Sequence, residues 1–532
     1  MSEGGKTSYI SYRETGKFQP IVTDYLDQDP FLTPFYQQFP SKENFREFIS
    51  RKQQHPVDRE ILAEVIKYQY HASGITGDKV NENIELLKAA ATFTITTGQQ
   101  TGILLGPLYA ALKIISAINL SKQLKAYYPE FNFIPVFWMA TEDHDVEEIR
   151  HVWVNNKKLS WNTTQTGAVG RFNNEGMDTV LKEVNLLTGK SKDALWLQDI
   201  FAKAYSLPTL SQATRLIVHG LFGNEGIVII DPDDARLKKS FATVIEQDIL
   251  EQHSFRAVEN TRKKLEKKYH SQVNGREINF FYLTATKRER LVKTKAGFST
   301  HDGEIYWTTD TLKEEIRKHP ERFSPNVLMR PLYQETILPN LAYIGGGAEV
   351  AYWLEMKGIF DFYQVPFPAL MLRNSAMIID KVNSHRLENS GLQISDLFRN
   401  QDELEKEMAL NHSSFDLRLP EEHRQIDELG KQLAVIASKT DQSLEGAAAA
   451  LTKRLQQQVE RFSKKLIRAE KRNTSEELTR FRLLLDHIYP GGSLQERRES
   501  VATLILSEGR EVLKNLQKNL DPMENSFCVL HY

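Results

Sequence analysis

Short apolar runs, each ending in a polar or glycine-bearing turn, constrain the fold of this chain more than any other feature. They stand at residues 93–97, 133–139, 226–230, 278–283 and 369–372, with helical patterns between them. Near-continuous apolar strands of this length are typical of a parallel sheet that is buried on both faces. The sequence therefore predicts an α/β core built around such a sheet.

Residues 108–126 join the first two runs and carry apolar side chains at helical spacing. A strand, a helix and a second strand in this order form a βαβ unit, whose crossover is right-handed in nearly all proteins. Ligands of open α/β sheets bind beyond the carboxyl ends of the strands. The turns that follow 93–97 and 133–139 are therefore the first candidates for a functional site.

The 532 residues of the chain exceed the ~250–300 residues at which a single hydrophobic core stops growing. We expect residues 1–384 to form a catalytic core with insertions and 385–490 to form a helical arm. Residues 491–532 should return to the core as a final helix and an apolar tail.

The arm is predicted from a narrow apolar seam in charged, glutamine-rich sequence, which is typical of a helical hairpin or coiled coil. The seam consists of Ile426, Leu429, Leu433, Ile436, Leu444, Ala448, Leu451, Leu455 and Phe462. A conventional helical bundle packed on the core is the alternative.

Composition excludes several classes of protein. A formal net charge of −2 gives no global basic field for nucleic acid. No run approaches the ~20 apolar residues that span a bilayer, and the start of the chain does not resemble a secretory signal. The single cysteine, Cys528, cannot form an internal disulfide or a multi-thiolate zinc site, and no base stands beside it. We expect a cytoplasmic protein with no membrane or nucleic-acid partner and no dedicated metal site.

The turn after the first run contains Thr97, Gly98, Gln99 and Gln100, and Gly106 precedes the helix. Such a turn can place free N–H groups at the positive end of a helix, where phosphate binds well. The glutamine amides could donate to phosphate or ribose oxygens, so we interpret these five residues as nucleotide-binding. Neither common nucleotide-binding glycine pattern is present, and a turn that only joins strand to helix is the alternative.

Four polar residues, Glu142, Asp143, His144 and Asp145, follow the second run directly. Repulsion among the carboxylates is costly unless a metal, a cationic ligand or a helix N-terminus offsets it. We expect Asp143 and His144 to be catalytic and the two flanking acids to bind substrate. Mg²⁺ could also bind these carboxylates beside substrate phosphates. A cluster that only caps a helix is the alternative.

A run of three glycines that includes Gly346 is followed by Glu349, Tyr352 and Trp353. Glycines let the backbone approach a ligand closely, and the carboxylate could bind an amino group. The two aromatic rings could wall a sugar or an adenine. We interpret all four as substrate-binding, with a flexible loop before an ordinary helix as the alternative.

Arg373, Asn374 and Ser375 follow the last apolar run. A loop of this composition could clamp phosphate, with Arg373 neutralising a leaving phosphate and the other two binding the nucleotide. An ordinary surface arginine is the alternative.

Three blocks of sequence together resemble the cysteine-adding enzymes of bacillithiol biosynthesis. They are TTGQQTGILLGPLYAALK, PVFWMATEDHDVEEI and AYIGGGAEVAYW, and the resemblance extends through the arm and the YPGGSLQER turn. It implies a Rossmann-like core similar to class I aminoacyl-tRNA synthetases, with inserted connecting segments. It also implies an antiparallel coiled-coil arm that mediates homodimerisation, and an active-site crevice beside the first two blocks.

The resemblance further implies a ligase that adds cysteine to glucosaminyl malate to give bacillithiol. We expect ATP to activate the cysteine carboxylate as an adenylate or acyl phosphate before the sugar amine attacks. Synthetases that select cysteine usually grip the thiol with a zinc held partly by cysteines, which one cysteine cannot provide. The alternatives are a nucleotidyl transferase or ligase acting on another small acid, or a non-catalytic nucleotide-binding coiled-coil protein.

Overall fold

The computed structural model describes residues 7–532. A strand and a group of helices come first and pack against one side of the core. They are β1 (Thr7–Ser11), α1 (Pro20–Leu26), α2 (Phe45–Gln53), α3 (Arg59–Ala72) and α4 (Asp78–Leu86).

The next segment contains the predicted βαβ unit, which is confirmed: α5 joins β2 and β3, and these strands pair in parallel. A small hairpin and a group of helices lead on to β6. The elements are β2 (Thr92–Gln99), α5 (Tyr109–Tyr127), β3 (Asn132–Met139), α6 (Val146–Ile149), β4 (His151–Val154), β5 (Lys157–Ser160), α7 (Met177–Thr188), α8 (Lys192–Tyr205), α9 (Leu210–Phe222) and β6 (Val228–Ile230).

Residues 231–339 form an insertion with its own antiparallel sheet, in the strand order β10-β9-β8-β7-β11. Its elements are α10 (Ala235–Lys239), α11 (Ala242–Glu251), α12 (His253–Leu265), β7 (Phe280–Leu283), β8 (Arg288–Lys293), β9 (Phe298–Thr300), β10 (Tyr306–Trp307), α13 (Thr309–Lys318), β11 (Phe323–Pro325) and α14 (Met329–Ile337). The prediction that the run at 278–283 belongs to the parallel sheet is therefore wrong. A short buried run has the same pattern in either kind of sheet, because its pairing partner is not encoded locally.

The chain then returns to the core through β12 (Asn340–Gly345), α15 (Gly347–Glu355), α16 (Lys357–Tyr363) and β13 (Ala369–Leu372). The core sheet has the parallel order β13-β12-β2-β3-β6. Counted along the chain this is the 3-2-1-4-5 order of doubly wound nucleotide-binding folds, so the Rossmann-like class is confirmed. The sequence missed β12, whose apolar residues stand before the glycines that we had interpreted as a ligand loop.

The last part of the chain contains the arm and the returning segment. Its elements are β14 (Ala376–Ile379), α17 (Lys381–Ser390), α18 (Gln401–His412), α19 (Pro420–Thr440), α20 (Glu445–Asn473), α21 (Ser475–Ile488), α22 (Gln495–Arg498), α23 (Val501–Glu508), α24 (Glu511–Asn519) and β15 (Ser526–His531). Helices α19 and α20 form an antiparallel hairpin, in which Gly430 packs against Thr452 and Gln456 donates to Asp427. Strand β15 pairs with β1 and β14, so the tail packs on the core. Within residues 7–532, no helix is long and apolar enough to cross a bilayer.

Candidate functional site

A cavity of about 1030 Å³ lies at the carboxyl ends of β2, β3 and β12. The order of the core strands reverses between β2 and β12, and open α/β sheets bind ligands at such a switch point. The insertion forms part of the opposite wall through Phe281, Arg288 and Pro325. The volume is at the upper end of the roughly 300–1,000 Å³ typical of small-molecule sites.

Asp143 connects the two motifs that follow β2 and β3. Its carboxylate accepts hydrogen bonds from Gln100 Nε2 at 3.0 Å, from Arg288 Nη1 at 3.3 Å and from the backbone N–H of His144 at 2.9 Å. Burial by itself raises the pKa of this carboxyl. Hydrogen bonds from His144 and Gln100, with the charge of Arg288, outweigh burial and hold the pKa well below the usual range of aspartate. Asp143 is therefore ionised at neutral pH.

His144 stands beside Asp143 at the cavity wall with 47% of its side chain exposed. Its Nδ1 lies 3.6 Å from Asp143 Oδ1 and 3.1 Å from Arg288 Nη1, and its ring centre lies 5.6 Å from that of Phe281. An imidazole fixed on one side and open to the cavity on the other can exchange a proton with a ligand.

Glu142 also lines the cavity, but it forms a buried ion pair with Lys238, whose Nζ donates to the carbonyl oxygen of Phe323 at 2.9 Å. Burial raises the pKa of Glu142, and the charge of Lys238 opposes that rise. The pair ties the end of β3 to the insertion, so Glu142 has a structural partner within the chain.

Lys113 of α5 lies on the basic side of the cavity. Its Nζ donates to the carbonyl oxygen of Gly98 at 2.9 Å and to Gln99 Oε1 at 3.0 Å, and it forms an ion pair with Glu349. The sequence did not single out Lys113, because one lysine within a helix pattern usually marks a solvated position.

Glu349 also accepts hydrogen bonds from Tyr343 Oη at 2.6 Å and from the backbone N–H of Gly346 at 2.7 Å. Burial raises the pKa of Glu349, but the charge of Lys113, together with hydrogen bonds from Lys113, Tyr343 and Gly346, outweighs burial and lowers the pKa. The expected ammonium-binding role must be corrected, because Lys113 already supplies that cation. Gly346 and Tyr352 do line the cavity.

Arg373 lines the cavity and is buried, which excludes the surface-arginine alternative. Its Nη1 and Nη2 donate to the Glu496 carboxylate at 2.9 and 2.7 Å. Arg330 reaches the same cavity from α14. The sequence motifs did not identify Glu496 or Arg330 as site residues. Both lie in segments remote from those motifs, and neither belongs to a recognisable motif.

Two residues expected to bind substrate lie outside the cavity lining. Asp145 caps α6, accepting a hydrogen bond from the backbone N–H of Glu148 at 3.3 Å, as the capping alternative predicted. Trp353 is fully buried and stacks on Tyr343 with 4.4 Å between ring centres. It lies in the core because the helix that follows β12 turns this face toward the sheet.

The expected nucleotide-binding role of Thr97, Asn374 and Ser375 also needs correction, because their side chains bond within the protein. Thr97 Oγ1 donates to the carbonyl oxygen of Ile344 at 2.8 Å, and Asn374 Nδ2 donates to that of Asp521 at 2.7 Å. Ser375 Oγ accepts from Arg373 Nη1 at 3.0 Å. These contacts join strands and the returning C-terminal segment and leave Gly98, Gln99 and Gln100 at the cavity.

Gly106 and the start of α5 are covered by the returning segment. The backbone N–H of Leu108 donates to the carbonyl oxygen of Glu499 at 2.6 Å, and Pro107 forms a bridge with Ser500. Gly106 is absent from the cavity lining. The expected phosphate site at this helix start is therefore wrong, since a protein carbonyl takes the place of the anion. Over residues 7–532, no group of three or more histidine, cysteine or acidic side chains could hold a metal ion.

Comparisons with known proteins agree with this architecture. The family described as bacillithiol biosynthesis BshC, N-terminal Rossmann-like domain, matches residues 6–374, and its C-terminal coiled-coil domain matches 376–532. A Flavobacterium johnsoniae protein is 40% identical over 98% of this chain and 99% of its own length. A Christiangramia forsetii protein is 39% identical over 99% of each chain, and a Bacillus cereus protein is 27% identical over 90% and 92%. Each relative bears the name "Putative cysteine ligase BshC".

Proposed function

The chain belongs to the BshC family of bacillithiol biosynthesis, and we propose that it is a cysteine ligase acting on glucosaminyl malate. The carboxylate of cysteine would form an amide with the sugar amine. The observation that carries the proposal is one cavity, at the switch point of a Rossmann-like sheet, with an acidic and a basic side. Because these substrates are cytoplasmic metabolites, we also propose a cytoplasmic location.

Amide formation from a free carboxylate requires activation, and we propose that ATP, with Mg²⁺, provides it. ATP, when bound, would supply the adenylyl or phosphoryl group that turns a carboxylate oxygen into a leaving group. The cavity fits such a ligand in volume and charge. Tyr109 could stack on the adenine, Gln99 could bond to the ribose, and Arg497 reaches the wall from an exposed position to hold phosphate oxygens.

The acidic side supplies the proton acceptor. Hydrogen bonds from Gln100 and Arg288 keep Asp143 ionised, and Asp143 Oδ1 lies 3.6 Å from His144 Nδ1. We assign proton removal from the attacking amine to Nε2 of His144, in the tautomer whose Nδ1–H is directed toward Asp143, because the half-exposed ring lines the cavity. Asp143 orients that ring and stabilises the imidazolium that forms.

A direct assay tests the ligase. Purified protein with ATP, Mg²⁺, cysteine and glucosaminyl malate should yield a product with the mass of the two substrates minus one water. Pyrophosphate release would indicate an adenylate, and phosphate release with ADP an acyl phosphate. His144→Gln and Asp143→Asn should each lower kcat by about 10²–10⁴-fold.

His151→Gln is the matched control, because this histidine lies in β4 outside the cavity lining and bonds to Ser160. Its kcat should stay within about twofold of the wild-type value, since surface changes of this kind are usually mild. Absence of the amide product with folded wild-type protein would refute the proposed function. Full activity of His144→Gln would refute only the assignment of the proton acceptor.

Homodimerisation through the arm is the second part of the proposal, and it rests on exposed apolar side chains. Leu429, Ile436, Leu444, Leu451 and Phe462 are all more than 40% exposed. Leu429 and Ile436 form a stripe on α19, and Leu444, Leu451 and Phe462 form a second stripe at the start of α20 and along it. At 3.6 residues per turn, each stripe lies about a quarter turn from the line of contact between the two helices. Because the helices are antiparallel, equal offsets place both stripes on one side of the hairpin.

The opposite side of the hairpin carries charged residues at the corresponding positions. They are Asp427, Lys431, Lys453, Glu460 and Lys464. Exposed apolar side chains grouped on one side of a water-exposed arm are typical of an interaction surface. A second copy of the chain presents the same face and would cover it in a symmetric interface.

A further inference from the structure

Arg330 is a cation at the cavity wall that has no carboxylate within ion-pair distance in the part of the chain that the structure describes. Its Nη1 donates to the neutral amide oxygen of Gln334 at 3.0 Å, and its guanidinium carbon lies 5.6 Å from the ring centre of Tyr343. Its Nη2 is buried without a hydrogen-bond partner among residues 7–532. The guanidinium is half-buried beside Tyr352, and the charge of Glu349 acts on it, but no carboxylate of the described residues is hydrogen-bonded to it.

A chain of buried hydrogen bonds holds Arg330 from behind. Gln334 Nε2 donates to Glu335 Oε1 at 2.9 Å, which turns the amide oxygen toward Arg330. Glu335 Oε1 also accepts from Asn340 Nδ2 at 2.6 Å, and Lys52 Nζ lies 3.7 Å from Glu335 Oε2. The position of Arg330 is therefore fixed before any ligand arrives.

Arg373 provides a second, independent donor at the same wall. It is 4% exposed, and its Nε has no hydrogen-bond partner among the described residues, although Glu496 occupies both Nη atoms. This Nε lies 4.0 Å from the point where a Cβ on Gly346 would stand. It therefore stands beside the first turn of α15.

The first turn of α15 adds backbone donors. Gly347 and Ala348 line the cavity, and N–H groups in the first turn of a helix have no acceptor within the helix. The Glu349 carboxylate accepts from the backbone N–H of Gly346, which lies beside Arg373. It also accepts from Tyr343 Oη, which lies beside Arg330. Both guanidinium groups thus stand around Glu349.

The charges of this wall do not cancel. Lys113, Arg330 and Arg373 bring three positive charges, against two negative charges on Glu349 and Glu496. Glu349 is fully engaged by Lys113 and its other donors, so the surplus positive charge belongs to Arg330. Planar guanidinium groups and helix N-termini bind carboxylates and phosphates well.

We propose that Arg330, Arg373 and the first turn of α15 form a carboxylate subsite that binds the malate half of the amine substrate, an inference that rests on the proposed function. The carboxylate of cysteine has to react, whereas the malate carboxylates are spectators that can stay bound. Malate held on the basic wall directs the sugar amine toward Asp143 and His144. Gln334 is a positioning residue that keeps Arg330 aimed at this subsite.

Isothermal titration of the full-length protein with glucosaminyl malate, L-malate, ATP and cysteine tests the subsite. Arg330→Met should raise the Kd for glucosaminyl malate and for L-malate at least about tenfold, because a charge-assisted hydrogen bond is lost. The Kd values for ATP and cysteine should stay within about twofold. In turnover, KM for glucosaminyl malate should rise while kcat changes little.

Arg276→Gln is the matched control, because it removes a positive charge from an exposed position at the cavity rim. It should change the Kd for malate by less than about twofold. Arg330→Lys keeps the charge and guards against misfolding, and it should bind malate more tightly than Arg330→Met. Gln334→Leu should raise KM for glucosaminyl malate and leave kcat unchanged. Its melting temperature should be close to that of Arg330→Met.

Three outcomes would overturn the subsite: unchanged malate affinity in Arg330→Met, equal losses in Arg276→Gln, or a loss confined to ATP. The last would show that this wall holds nucleotide phosphate. Malate titration needs no turnover, so wild-type protein that binds malate through Arg330 without forming the amide would refute the proposed function and leave the subsite standing. Amide formation by the wild-type protein, together with unchanged malate affinity in Arg330→Met, would refute the subsite and leave the proposed function standing.

Discussion

Arg373 and Glu496 form a buried bidentate pair that joins the end of β13 to the segment after the arm. Glu496 Oε2 also accepts from the backbone N–H of Ala376 at 3.2 Å. Breaking one partner of a buried pair leaves an uncompensated charge, which costs far more than the pair contributes in the intact protein. These two residues therefore influence both the stability of the core and the shape of the cavity.

Glu496→Gln should lower the free energy of unfolding by about 3–5 kcal/mol, because Arg373 would remain charged without its partner. Urea unfolding followed by far-UV circular dichroism measures the change. Glu499→Gln is the control, since its carboxylate accepts from the neutral donors Asn156 N–H and Thr503 Oγ1. Its loss should be about 1 kcal/mol, and equal losses in the two variants would contradict the argument.

At the scale of elements, Glu405 clamps the base of the arm. This α18 carboxylate accepts from Arg482 of α21 at 2.7 and 2.9 Å, and from Lys471 of α20 at 3.3 Å. Hydrogen bonds from Arg482, opposed by burial and assisted by Gln401 and Lys471, lower the pKa of Glu405 to about 2.

Because the pKa is lower in the folded arm, the stability contributed by Glu405 is present above its ordinary pKa of 4.5 and is lost as the pH falls toward 2. At pH 7, Glu405→Gln should lower the free energy of unfolding by about 2 kcal/mol. The difference from wild type in melting temperature should shrink as the pH falls below 4.5.

Glu407→Gln is the control on the same helix, because it breaks only an exposed pair with Arg399. It should cost less than about 1 kcal/mol at any pH. A pH-independent difference between Glu405→Gln and wild type would show that the carboxylate charge is unimportant for docking the arm.

The apolar face of the α19–α20 hairpin makes a prediction about assembly. Ile436→Glu combined with Leu451→Glu should convert a dimer into a monomer, because each copy would bury two charges in the interface. Size-exclusion chromatography with light scattering measures the mass. Lys453→Glu, on the charged side of the hairpin, should remain dimeric. A monomeric wild-type protein, or a dimeric double variant, would contradict the proposed interface.

At the scale of the whole molecule, both ends of the described chain meet in one small sheet. Strand β15 lies between β1 and β14, and Phe527, Cys528 and Val529 are almost fully buried there. Burial raises the pKa of the Cys528 thiol to about 12. A thiol with this pKa, inaccessible to solvent, is inert toward disulfide exchange.

Native protein should therefore show no reaction with Ellman's reagent at pH 8, and one thiol per chain should react after unfolding in guanidinium chloride. Cys528→Ser should retain ligase activity, which serves as the control for any role in catalysis. Rapid reaction of the native thiol would show that the terminal sheet opens readily. Its rate in moderate denaturant reports on how this sheet separates from the core.

Much of the fold and part of the candidate site could be predicted from local pattern. The runs that became β2, β3, β6 and β13 were correctly placed because strand burial leaves a continuous apolar stretch. Gln100 and Asp143 come together because the carboxyl ends of adjacent parallel strands must lie at the same edge. That consequence follows from topology and needs no knowledge of side-chain packing.

Local periodicity was enough to predict the α/β class, the βαβ unit, the arm and the edge of the sheet that carries the site, because each depends on a pattern within a short window. Long-range packing placed β12 inside the core sheet, β7 in an antiparallel insertion and a carbonyl oxygen over the start of α5, none of which a local pattern encodes. It also decided which cations surround the cavity. Arg330 and Lys113 are ordinary residues in their own helices, and they acquire a role only when remote segments exclude water around them.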